Sequence, residues 1–228
     1  MRNLILLLLL AVCPPLTAQE APAPPRVERF RLDNGLTVLI ERRAQLPLVN
    51  VTCFYSVGAA NEVPGITGVA HYIEHMVFRG TQNVSSADIT GTFERIGGRW
   101  NAYTELDQTL YAETVPSWAL DSALRIEAER MARATFDSSE FNRERGSVIA
   151  EINSYIGDPA GRLSDLVRMT SFEIHPYRSN TLGYDVLAVT RDEAFRFYKD
   201  FYGPNNDIRQ DPRGRVDPRK GPTRPRSH

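Results

Sequence analysis

The chain has 228 residues, of which 42% are hydrophobic and 24% charged, and its formal net charge is -1. This is the composition of an ordinary globular protein, and the length allows one sizeable hydrophobic core. The near-neutral charge gives no reason to expect a nucleic acid or an anionic membrane surface as a partner.

The first residues predict a secretory signal peptide over residues 1–18. Arg2 gives a positively charged start, residues 4–12 form an apolar run too short to span a bilayer, and residues 16–18 offer a small-residue cleavage site. The short run disfavours the alternative, an uncleaved anchor. We therefore expect an exported protein, periplasmic or secreted, without a stable membrane anchor. Residues 19–26 are proline-rich and predict an extended linker.

The next stretch predicts three strands. Residues 27–43 alternate polar and apolar side chains around Asn34-Gly35, a combination that indicates a β-hairpin. Residues 48–59 are more apolar and predict a third, more buried strand. Cys53 lies in this strand, where we expect a buried structural thiol rather than a reactive one.

Helical patterns dominate the rest of the chain. In the helix predicted over residues 117–136, we expect a buried apolar stripe formed by Leu120, Leu124, Ala128 and Met131. The predicted helices are 68–78, 85–98, 117–136, 138–157, 162–173 and 191–202, and residues 100–115 are extended.

Strands that come first and helices that follow in clusters predict an α+β domain over residues 27–206, with helices packed on a mainly antiparallel sheet. Residues 207–228 are basic, proline-rich and almost free of apolar side chains. Such a segment cannot bury enough surface to fold, so we expect a disordered tail.

The segment HYIEH carries the clearest chemistry. His71 and His75 are two of only four histidines, and Glu74 lies between them. On a helix these three side chains share one face. Two imidazoles one turn apart can bind Zn²⁺, and a carboxylate beside them can take a proton from water held at the metal. The alternative is a helix surface that carries two histidines by chance, so a third ligand is needed.

Two glutamates later in the chain are candidates for that ligand. Glu144 and Glu151 are seven residues apart, so they share a helix face, with Val148 between them. Charges at both ends of a partly apolar stripe indicate a polar site. A solvated helix face is the alternative, and these residues alone leave both open.

Several ordered motifs resemble the pitrilysin/insulinase family of zinc metallopeptidases, which includes the mitochondrial processing peptidases. HYIEH matches the inverted HxxEH motif within GVAHYIEHMVFRGTQN. The resemblance continues through GGRWNAYTELDQTLYAETV, FNRERGSVIAEINSYIGDP and TRDEAFRFYKDFYGPNN. It covers residues 27–206, so the family's N-terminal zinc domain is expected there.

The resemblance implies a role for each matched residue. His71, His75 and Glu151 match the zinc ligands, Glu74 matches the general base, and Glu144 matches a second glutamate that supports the catalytic site.

The resemblance also implies a place for the substrate. Asn101 and Ala102 match a sheet edge that binds a peptide as an added strand. For the side chains of Tyr103 and Thr104, we expect ordinary strand packing.

The expected fold is thus a processing-peptidase-like metallohydrolase domain that is incomplete at its C-terminus. The resemblance implies a zinc-dependent endopeptidase acting on peptides or unfolded segments. It also implies a homologous second half or partner subunit that encloses the substrate. Two alternatives stay open: a non-catalytic scaffold or binding protein of the same fold, and a truncated fragment that needs a partner half.

Overall fold

The computed structural model describes residues 26–43 and 45–206. The expected signal peptide, the linker apart from Arg26, and the basic tail lie outside these residues, so those expectations stay predictions. Within the described residues, no helix is both long and apolar enough to cross a membrane.

Five strands and six α-helices make up the described part of the chain. The antiparallel pairing of the strands and the succession of helices after them confirm the predicted α+β class. In chain order the elements are β1 (Val27–Arg31), β2 (Thr37–Glu41), β3 (Leu48–Tyr55), α1 (Val69–Met76), α2 (Ser86–Arg95), β4 (Arg99–Thr104), β5 (Thr109–Pro116), α3 (Leu120–Arg133), α4 (Ser138–Gly157), α5 (Pro159–Ser171) and α6 (Arg191–Phe201).

The predicted N-terminal hairpin is confirmed. Strands β1 and β2 pair antiparallel, and Gly35 in the turn has a φ of 92°, which glycine adopts without a Cβ penalty. The side-chain oxygen of Asn34 accepts a hydrogen bond from the backbone N–H of Leu36 at 3.1 Å. The hairpin forms a two-stranded sheet of its own, and most of its residues are exposed.

The second sheet has the order β3-β5-β4, with every pair antiparallel. The central strand β5 alternates buried and half-buried residues. Strand β3 is more buried than the hairpin, as predicted, but only on one face, because alternate residues along it are exposed. Cys53 lies on the half-buried face, and burial raises the pKa of its thiol to about 11.

Helix α1 is the most deeply packed helix in this part of the chain. It contacts β4, α4 and α6. Its apolar side chains are fully buried: Val69, Ala70, Tyr72, Ile73 and Met76. A helix with apolar residues around most of its circumference is typical of a core position.

The predicted apolar stripe of α3 is wrong in two of its four positions. Leu124 and Ala128 are exposed, whereas Glu127 and Arg130 are buried against the sheet side of the helix. The Arg130 guanidinium pairs with Glu127 and with Glu113 of β5. Hydrophobicity alone predicts that charged residues such as Glu127 and Arg130 are exposed. They can be buried here because their opposite charges compensate one another.

Candidate metal centre

The start of α1 is held by a carboxylate from an upstream turn. Glu62 accepts hydrogen bonds from the backbone N–H groups of Gly68 (2.7 Å) and Ala70 (2.8 Å). These are donors that the first turn of a helix cannot satisfy internally. Gly68 has a φ of 92°, and a Cβ there would lie 2.4 Å from the Leu182 carbonyl oxygen. Glycine at this position therefore lets the loop containing Leu182 pack directly against the start of the helix.

The three predicted metal ligands meet at one point. The Nε2 atoms of His71 and His75 each lie 3.5 Å from Oε2 of Glu151. Neighbouring ligands of a tetrahedral Zn²⁺ with bonds of 2.0–2.1 Å would be separated by about 3.3 Å. The two nitrogens and the oxygen therefore fit a zinc ion. In the chain as far as it is described, these residues form the one cluster of histidine, cysteine and carboxylate groups able to hold a metal.

Packing between α1 and α4 brings Glu144 and Glu151 to the histidines. The Tyr72 ring stacks on Phe141 with the centroids 4.3 Å apart, and its hydroxyl donates to the Phe141 carbonyl. Val148, between the two glutamates, is fully buried. The shared face expected from the seven-residue spacing thus points towards α1, with Glu144 and Val148 buried and Glu151 partly exposed beside the histidines.

Glu144 supports the ring of His75 from the side opposite the ligand atom. Its Oε2 lies 3.1 Å from His75 Nδ1. A proton on Nδ1 leaves the lone pair on Nε2 free for a metal. Oε1 of Glu144 lies 2.8 Å from Arg79 Nε. Burial acts to raise the pKa of Glu144, but the hydrogen bond to His75 and the charge of Arg79 outweigh it and keep the pKa low.

The electrostatics of His75 reflect the same contacts. Burial acts to lower the pKa of His75, but the hydrogen bond to Glu144 and the nearby carboxylates of Glu74 and Glu151 outweigh it, and the pKa is raised. The hydrogen bond from His71 lowers the pKa of Glu151. The cluster is thus rich in negative charge, as a site for a divalent cation requires.

Thr104 does more than pack within its strand. Its hydroxyl donates a hydrogen bond of 2.5 Å to Oε2 of Glu74, the predicted general base. Alternation along β4 places Ala102 and Thr104 on the same side of the strand, next to α1. The packing of β4 against α1 creates this contact, which no local sequence pattern predicts.

Asn101 lies on the opposite side of β4 from Thr104. Its side-chain amide donates to the Tyr103 hydroxyl at 2.6 Å, and its side-chain oxygen accepts from the Ala102 N–H at 3.0 Å. Strand β4 pairs only with β5, so its other edge has no strand partner among the residues that the structure describes. The structure therefore supplies the sheet edge that strand addition needs, while the substrate contacts of Asn101 and Ala102 stay a prediction.

Sequence reasoning missed two residues that hold the site together. Glu62 binds the first turn of α1, and Arg79 pairs with Glu144. Arg79 carries a signal that could have identified it, because it is a cation only four residues after His75, close enough to reach a carboxylate beside that histidine.

Comparison with known proteins identifies the family. The profile of the insulinase family, Peptidase family M16, matches residues 37–185. The chain belongs to this family. It is 29% identical over 189 residues to an uncharacterized zinc protease, YmxG, of Bacillus subtilis, covering 80% of this chain and 45% of that protein. It is 32% identical over 189 residues to the zinc protease PqqE of Helicobacter pylori, covering 81% of this chain and 42% of that protein.

A solved structure agrees with the fold. The periplasmic protease PqqL of Escherichia coli superposes with a TM-score of 0.74 at 31% identity, covering 82% of this chain and 22% of PqqL. The resemblance seen in the motifs is thereby confirmed, and the names of the relatives confirm zinc as the cofactor of this M16 group. The chain spans less than half the length of each of these relatives.

Proposed function

We propose that this chain carries the zinc-binding active site of an endopeptidase that hydrolyses peptides or unfolded segments. The observation that carries the proposal is the meeting of His71 Nε2 and His75 Nε2 at one oxygen of Glu151. Glu74 lies between the two histidines in sequence, so a carboxylate is present beside the metal position without serving as a ligand. This combination is the one that metal-assisted hydrolysis requires.

Each residue of the site has one task in the proposed reaction. His71, His75 and Glu151 hold the zinc, and bound zinc supplies a Lewis acid that polarises the scissile carbonyl and lowers the pKa of water to about 7. Glu74 accepts the proton of the attacking water and can return it to the leaving amine. The hydroxyl of Thr104 fixes the position of one Glu74 oxygen, so the other is free to face the water.

The substrate is proposed to lie along the free edge of β4. Backbone hydrogen bonds from an added strand would hold the peptide next to α1, with Asn101 and Ala102 as the contact residues. Because a misplacement of the scissile carbonyl by about 1 Å can cost roughly 100-fold in rate, we propose that groups from a homologous second half complete the enclosure. The relatives are more than twice as long as the matched segment, which is consistent with this role.

The test combines metal analysis with peptide cleavage. We expect the purified chain to bind about one Zn²⁺, and Glu74→Gln to retain the metal. The chain alone should cleave an unfolded peptide poorly, and addition of a homologous partner half should restore cleavage to wild-type chain but not to Glu74→Gln. Robust cleavage by the chain alone, lost in Glu74→Gln, would show that no second half is needed. Zinc binding without cleavage in any combination would favour the non-catalytic binding protein.

Export is a separate part of the proposal. The relative PqqL is described as periplasmic, and the first 18 residues have the pattern of a signal peptide. We expect N-terminal sequencing of exported protein to begin near Gln19. Recovery of intact Met1 on membrane-bound protein would identify the segment as an anchor.

A further inference from the structure

Arg79 lies just beyond α1 and reaches back to the metal centre. Its Nε is 2.8 Å from Oε1 of Glu144, while Oε2 of the same carboxylate meets His75 Nδ1 at 3.1 Å. One carboxylate oxygen of Glu144 thus contacts the Arg79 guanidinium, and the other contacts the His75 ring. Glu144 is the one carboxylate that pairs with Arg79 among the residues that the structure describes.

The two members of this pair differ in burial. The Glu144 side chain is 3% exposed, whereas that of Arg79 is 32% exposed. Removing one partner of a buried ion pair leaves an uncompensated charge, which is strongly unfavourable. Without Arg79, the Glu144 carboxylate would lose the contact that fixes its Oε1 atom and would turn towards solvent. That movement would weaken the hydrogen bond that orients His75.

The Arg79 contact is one of charge and position rather than a well-aligned hydrogen bond, because Nε has no hydrogen-bond partner of ordinary geometry. We propose that Arg79 is a positioning residue of the metal centre, which acts through Glu144 to hold the His75 ring in its ligand orientation. This inference rests on the proposed zinc site and adds to it a residue that contacts Glu144 rather than a metal ligand. Partners of this kind commonly contribute to metal affinity without touching the metal.

The direction in which the Zn²⁺ affinity changes when Arg79 is removed distinguishes a positioning role from a purely electrostatic one. Removal of a positive charge close to a cation site should by itself tighten the binding of Zn²⁺. The proposal predicts the reverse: Arg79→Leu should weaken Zn²⁺ binding by about 10-fold or more. Arg79→Lys keeps the charge and should lose less. The measurement is the Kd of the purified chain for Zn²⁺, by competition with a chromophoric chelator, with circular dichroism to confirm folding.

Arg143→Leu is the matched control. Arg143 is adjacent to Glu144 in sequence, but its side chain is 62% exposed and pairs with Glu140. The same change of charge at this position should alter the Kd by less than about 2-fold, since exposed ion pairs contribute little.

A double-mutant cycle tests whether Arg79 acts through Glu144. In the Glu144→Gln background, Arg79→Leu should raise the Kd by less than about 2-fold, because the carboxylate on which Arg79 acts has already been replaced. A folded Arg79→Leu protein that binds Zn²⁺ as tightly as wild type, or two substitutions whose effects simply multiply, would overturn the inference. Failure of the wild-type chain to bind Zn²⁺ would instead refute the proposed zinc site itself.

Discussion

Helix α1 and the N-terminal hairpin are both marked by strong local sequence signals, yet they are held in place in opposite ways. The hairpin consists of two neighbouring strands around Asn34-Gly35, and most of its residues are exposed. Helix α1 is buried, and Glu144, which supports His75, lies 69 positions later in the chain. The hairpin can therefore form from local pairing, whereas the metal centre exists only when distant helices pack correctly.

The contrast has a direct consequence for stability and function. Substitutions in the hairpin remove few contacts with the rest of the chain, because β1 and β2 contact mainly each other. Substitutions in α1 disturb the core and the metal centre together. The same type of substitution should therefore reduce Zn²⁺ binding and the free energy of unfolding more in α1 than in the hairpin.

The largest expected effect is on metal binding. His75→Ala removes one of three ligands, so Zn²⁺ content should fall from about one per chain to background. Leu39→Ala in the hairpin should leave the Zn²⁺ content unchanged, because Leu39 is 65% exposed. Atomic absorption on folded protein measures both. Equal Zn²⁺ in wild type and His75→Ala would refute the ligand assignment.

Two glycines with the same backbone conformation provide the second comparison. Gly68 and Gly35 both have a φ of 92°, so alanine at either position should cost about 1–2 kcal/mol in left-handed strain. At Gly68 the new Cβ would also lie 2.4 Å from the Leu182 carbonyl oxygen, whereas at Gly35 its nearest neighbour would be the Asn205 Cβ at 3.0 Å.

We therefore expect Gly68→Ala to lower the free energy of unfolding by about 4 kcal/mol or more, a loss typical of severe steric disruption. Gly35→Ala should cost about 2 kcal/mol. Urea unfolding of both variants measures the difference. Equal losses would mean that the packing at the start of α1 yields easily to an added methyl group.

Side-chain truncation gives a third, smaller contrast. Ile73 in α1 is fully buried, so Ile73→Ala should cost roughly 2–4 kcal/mol through lost burial and the cavity that remains. Leu39→Ala on the exposed hairpin should stay within about 0.5 kcal/mol of wild type. The same urea titrations report both values. A large loss for Leu39→Ala would indicate that the hairpin is covered by a surface outside the described residues.

The features that the sequence predicted are local ones. Ser85, Asp137 and Thr190 each cap the helix that follows them, and such a cap depends only on residues within one turn. The clustering of His71, His75 and Glu151 could be predicted because the family resemblance covers both of the segments that carry them. The burial of Glu127 and Arg130 could not be predicted, since each is favourable in the core only with the other beside it. The contact of Thr104 with Glu74 likewise depends on how β4 packs against α1.

That contact supplies the smallest predicted effect, at the junction between the sheet and α1. Thr104→Val keeps the shape of the side chain but removes the hydrogen bond to the half-buried Glu74 carboxylate. Loss of a hydrogen bond to a charged group should cost about 1–2 kcal/mol of unfolding free energy. Thr104→Ser keeps the hydroxyl and should retain most of the stability.

Thr52→Val is the matched control, because the Thr52 hydroxyl donates only to the exposed Asn50 side chain on β3. Its unfolding free energy should stay within about 0.5 kcal/mol of wild type, as for most surface substitutions. All three variants should still bind Zn²⁺, since none removes a ligand. If Thr104→Val proved as stable as Thr52→Val, the hydroxyl would not be holding Glu74, and the orientation of the general base would have to come from the substrate or from a second half.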